Sequence, residues 1–104
     1  MSIESTFIAE IVTFRLKPGS SPAEFVATAA NLADFLKSTG ALRSRHLSCD
    51  DTGLWTDHIT WTSMEAAKTV ANDMFARPEA APFMALIDTT DLKMRHAPLA
   101  LHWE

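Results

Sequence analysis

A chain of 104 residues, 47% hydrophobic and 21% charged, is the length and composition of one globular domain rather than of a disordered or fibrous segment. Thirteen acidic against nine basic residues give a formal charge of −4, and the only basic cluster is the short "LRSRH" at 42–46, which argues against phosphate-backbone binding and hence against a nucleic-acid partner. No apolar run approaches the ~20 residues of a membrane span and no basic, then apolar, leader opens the chain, so a cytoplasmic protein with no membrane partner is expected. The single Cys49 excludes an internal disulfide and any cysteine-based metal cluster.

The chain opens with a strand over about 6–17, "TFIAEIVTFRLK". Both of its alternating sets hold large apolar residues: Phe7, Ala9 and Ile11 on one, Ile8, Val12, Phe14 and Leu16 on the other. A strand of this kind is covered on both faces. "KPGSSPAE" makes a turn and a helix start, with Ser21 and Glu24 at capping-box spacing and Pro22 at the first helical position. The helix is expected to run to Thr39 with an apolar stripe of Phe25, Ala29, Leu32, Ala33 and Leu36, and Gly40 suits its C-terminal cap. A second strand over 41–49, the turn "DDTG" and a third strand over 54–62 read as a hairpin.

Thr62 or Ser63 opens the second helix, whose stripe is Ala67, Val70, Ala71, Met74 and Phe75, and Pro78 stops it. "EAAPFMALID" reads as a short further helix or an irregular helical turn, with Asp88 capping or turning the chain into the last strand. That strand is expected over 92–96, resuming over 99–103 after Pro98. The order strand, helix, strand, strand, helix, strand folds through two right-handed crossovers into an α+β, ferredoxin-like, four-stranded antiparallel sheet with both helices on one face. The first strand is placed beside the third and the last beside the second. A sheet apolar on both sides has one face uncovered, so a homodimer with the two sheets facing each other, a dimeric α+β barrel, is expected.

The third strand, "WTDHITW", is the most informative stretch. Alternation puts Trp55, Asp57, Ile59 and Trp61 on one face and Thr56, His58 and Thr60 on the other. A buried carboxylate between tryptophans must find a cation, line water or take up a proton, and the candidate partners are Arg15, Arg43, Arg45 and Arg95. A structural ion pair is the plainer role for Asp57; a pocket base or acceptor is the functional one. If the strand's faces are reversed, His58 takes its place.

"EIVTFRLKPGSSPAEF" and "WTDHITWTSMEAAKTVAND", with the phrase Trp61-x-Ser63-x-Glu65-Ala66 leading from the third strand into the second helix, resemble the dimeric α+β barrel superfamily and in particular its antibiotic biosynthesis monooxygenase-like domains. "PFMALID" and "MRH" resemble a small uncharacterised subgroup of it. The resemblance implies a pocket between sheet and helices. It also implies cofactor-independent monooxygenase chemistry, in which an acidic C–H or O–H of a flat substrate is deprotonated and the anion itself reacts with oxygen. A haem-degrading branch uses an asparagine, a tryptophan and a helical histidine; Trp61 matches the tryptophan, but Ile11 stands in the asparagine's place and no histidine occurs from Ser63 to Phe83.

The expected function is therefore that of a small-molecule enzyme acting on a flat hydrophobic substrate by proton abstraction and oxygenation, with no metal and no cofactor. His96, near the end of the last strand, is the expected general base, and an Asp57–His96 pair would orient its imidazole. Bonding a backbone carbonyl is the plainer role for His96. Trp61 and Phe83 would form an aromatic wall, with Phe75, Met74 and, in the reversed strand, His58 contributing to substrate binding. The alternative is a homodimeric domain that binds a hydrophobic metabolite without turning it over.

Overall fold

A computed structural model describes residues 7–101. The elements in chain order are β1 (Ile8–Leu16), α1 (Pro22–Ala30), α2 (Ala33–Ser38), β2 (Leu42–Cys49), β3 (Trp55–Trp61), α3 (Met64–Phe75), α4 (Ala80–Ala85) and β4 (Ile87–Pro98). Four strands form one antiparallel sheet in the order β2-β3-β1-β4, the ferredoxin-like arrangement. β1 does lie beside β3, but β4 pairs with β1 and not with β2. The β2–β3 hairpin fills the gap left by the first crossover, and a right-handed second crossover then delivers β4 to the free edge of β1 rather than to that of β2.

The helices start where the sequence places them. Ser21 accepts from the Glu24 N–H at 3.2 Å, with Pro22 at the first helical position. Ser63 rather than Thr62 caps α3, accepting from the Ala66 N–H at 3.0 Å. The expected single helix to Thr39 is two, because Leu32 bonds back only three residues to Ala29 and the regular ladder breaks between α1 and α2. Gly40 follows α2 with φ of 71°, a conformation that costs glycine little.

β4 begins five residues earlier than the expected 92, at Ile87. Asp88 lies inside it, and its Oδ1 accepts from the Thr90 N–H and hydroxyl. From Thr13 to Arg15 β1 advances two residues, while the partner strand passes from Lys93 to Asp88, five residues, so β4 bulges there and then resumes pairing. Of the expected continuation over 99–103, Leu99, Ala100 and Leu101 are not in a strand and the rest falls outside the described residues.

The core lies between the sheet and the helices. Phe14, Phe25 and Leu32 are fully buried, and Phe25 packs edge-on against Phe14 and Trp55 and stacks on Phe83. Alternation turns Ala9, Ile11, Thr13, Thr56, His58, Thr60, Ser44, His46, Arg95 and Ala97 to the other face. That face is therefore not apolar throughout: beyond Ile11 and the alanines it carries hydroxyls, imidazoles and guanidinium. No described helix is long and apolar enough to cross a membrane.

Candidate functional site

Under α3 and α4, a cavity of about 310 Å³ separates the helices from the sheet. β1 supplies Val12 and Phe14, β3 supplies Ile59 and Trp61, and α3 and α4 close it with Val70, Met74, Phe83 and Met84. Phe75, 62% exposed, and Met94, 53% exposed, also line it and give it an apolar rim. Three charged side chains enter this wall: Glu10, Asp57 and Arg45.

The helix-facing set of β3 is the expected one, so Asp57 lines the cavity, 5% exposed. Its partner is Arg45, one residue pair along the neighbouring β2, where Leu47 faces Asp57 and Arg45 faces Ile59. The pair is bidentate, with Nε donating to Oδ1 at 3.0 Å and Nη2 to Oδ2 at 2.7 Å. Nη1 donates to the Ala29 carbonyl at 3.3 Å, and the guanidinium lies 5.6 Å from the Phe83 ring centre. The other three candidate cations lie elsewhere: Arg15 donates to the Thr52 carbonyl, Arg43 stacks over Phe7, and Arg95 belongs to the far face.

Asp57 and His96 are not brought together. His96 pairs across β1 with Glu10, and its Nε2 lies 2.9 Å from Glu10 Oε1. Trp61 donates its Nε1–H to the same oxygen at 3.1 Å. Glu10, 8% exposed and on the strand face it shares with Ile8, Val12 and Phe14, is thus the carboxylate that holds the histidine. Its Oε2 accepts no hydrogen bond from a described residue and is not sealed from contact. A carboxylate can accept from more than two donors, so this oxygen is open to a further one.

Glu10 was missed from the sequence although the signal was present: it interrupts an apolar alternating set as Asp57 does. Phe83, Phe75 and Met74 line the cavity as expected, and Trp61 both lines it and bonds Glu10. His58 lies on the opposite face, facing His46 and Ile11, and is not part of this wall; its Nε2 is buried without a hydrogen-bond partner among the described residues. Among the described residues no three His, Cys, Asp or Glu side chains are grouped to hold a metal ion.

No protein-family model and no curated protein sequence matches the chain. Solved structures do. A candidate antibiotic biosynthesis monooxygenase of Bordetella bronchiseptica superposes with a TM-score of 0.77 at 14% identity, covering 92% of this chain and 99% of its own. One from Caulobacter crescentus gives 0.74 at 17% identity over 93% and 92%. SnoaB, a cofactor-independent oxygenase from Streptomyces nogalater, gives 0.65 at 17% identity over 95% and 96%. At these identities the likeness carries the fold: the chain has the α+β, ferredoxin-like architecture of the antibiotic biosynthesis monooxygenase-like proteins.

Proposed function

We propose that the cavity binds a flat hydrophobic molecule and removes a proton from it, with oxygen then attacking the resulting anion, as the fold likeness to a cofactor-independent oxygenase suggests. The observation that carries this reading is the free Oε2 of Glu10 in an apolar wall. An acidic C–H or O–H placed there gives its proton to the carboxylate. Trp61 Nε1–H and His96 Nε2 fix Oε1, so the attacking oxygen is presented without a rotamer search. His96 takes part through Glu10, and Asp57 holds Arg45 in the wall. The chemistry asks for no metal or flavin: a methylene becomes a carbonyl, one atom of O₂ entering the product and the other leaving as water.

Phe83, Phe75 and Met74 supply the flat apolar contacts, Met74 adapting to ligand shape. The same lining suits a binder that performs no reaction, and turnover separates the two. Oxygen uptake is measured with a panel of anthrones and quinols. A Glu10→Gln variant is expected to lose at least about 100-fold in rate, the usual contribution of a positioned base. His96→Ala is expected to slow turnover less, because the carboxylate remains. Ligand retention without oxygen uptake by the unaltered protein would leave the binder; wild-type rates in Glu10→Gln would remove this base.

The protein is also proposed to pair with a second copy through the helix-free face of the sheet. Half-buried Ile11, near the middle of that face, supports it as an apolar anchor.

A further inference from the structure

Resting on that reading of the cavity, we infer that the site selects by charge: it takes an uncharged flat molecule that presents a hydroxyl to Glu10 and rejects the same ring system bearing a carboxylate. Arg45 is the cavity wall's one cationic side chain among the described residues. Its Nε and Nη2 are held by both oxygens of Asp57, and its Nη1 by the Ala29 carbonyl. These bonds take three of its five N–H donors and Asp57 matches its charge, so a carboxylate entering the cavity would find no unpaired cation. It would instead meet Glu10, whose free oxygen is an acceptor and repels a second anion. His96 offers no rescue, since it does not line the cavity and its Nε2 is directed at Glu10.

An anion buried in an apolar wall without a counterion costs several kcal/mol or forces proton uptake. A hydroxyl, in contrast, donates to Oε2 and completes a buried carboxylate's bonding. The Asp57–Arg45 pair is thus a specificity device as well as a structural one: it places a guanidinium in the wall whose charge is already matched.

The test is calorimetric titration of the full chain near neutral pH with 2-naphthol, which is uncharged there, and 2-naphthoate, which is a carboxylate on the same rings. The expected result is 2-naphthol at least about tenfold tighter, the ratio that 1.4 kcal/mol produces. Asp57→Asn frees the guanidinium, so the preference should narrow or reverse in that variant. Should Asp57→Asn fold poorly, Glu10→Gln gives the second arm: removing the negative charge should improve 2-naphthoate while weakening 2-naphthol. Equal or tighter binding of 2-naphthoate to the unaltered protein, or no saturable binding of 2-naphthol, overturns the inference. Oxygen uptake with the anthrone panel is scored separately, so loss of the charge preference with turnover intact sinks this inference alone.

Discussion

Two buried carboxylates share one wall of the cavity, and their partners set them apart. Asp57 is matched by a bidentate guanidinium, 16% exposed against 7% for the carboxylate side chain, and its role is to be neutralised. Removing one member of such a pair leaves a buried charge alone, so Arg45→Ala is expected to destabilise the fold by about 3–5 kcal/mol. Arg45→Met with Asp57→Leu, removing both, should cost much less; denaturant midpoints of the two variants decide it, and equal losses would show the pair is not coupled. Glu10 is held by groups that leave one of its oxygens open. Asp57 was legible in the sequence because two tryptophans flank it at period two. Glu10 obeys the same rule between Ile8 and Val12, but smaller aliphatic neighbours made the interruption less conspicuous. That His96 would meet Glu10 was not legible, because it depends on which edge of the sheet the last strand joins.

At the scale of elements, caps and turns were readable and continuity was not. Serine and proline at helix starts, and the aspartate-rich turn between β2 and β3, carry their chemistry locally. Asp50 Oδ1 accepts from the Thr52 hydroxyl at 2.6 Å, the Thr52 N–H at 2.8 Å and the Leu54 N–H at 3.0 Å. The Thr52 hydroxyl foremost, then the Leu54 and Thr52 N–H groups, hold its carboxyl below the usual carboxylate value, with Arg15 adding slightly. A carboxyl lowered in the folded state stabilises the fold above its unfolded pKa and loses that contribution as pH falls through the folded one. The stability difference between the natural chain and Asp50→Ala should therefore be full at neutral pH and shrink below the ordinary carboxylate range. Denaturant titrations across that range test it, and a difference constant with pH would contradict the turn's electrostatic role. The start of β4 was misread for the converse reason: "IDTTD" has turn chemistry, and Asp88 does bond Thr90, yet pairing of Ile87 and Asp88 with Leu16 and Arg15 holds the segment in the sheet. Tertiary pairing overrode a local signal.

For the whole molecule, the deciding question is what the helix-free face of the sheet does. Only β1 is greasy on both sides; on the helix-free face the other strands present Thr56, Thr60, Ser44, His46 and Arg95. A second copy docking there would bury Ile11 at the centre of a polar, hydroxyl-rich surround, closer in kind to a wet interface than to a split hydrophobic core. Such an interface depends strongly on its few apolar anchors. Light scattering at micromolar concentration is therefore expected to give twice the 11.5 kDa chain mass, and Ile11→Lys, which adds a cation beside Arg95, to return the chain mass. Ile11 faces away from the cavity, so 2-naphthol binding should survive the substitution. A natural chain that scatters as 11.5 kDa would mean the sheet meets water directly, and the cavity, which is built from one copy's own strands and helices, would then have to work in a monomer.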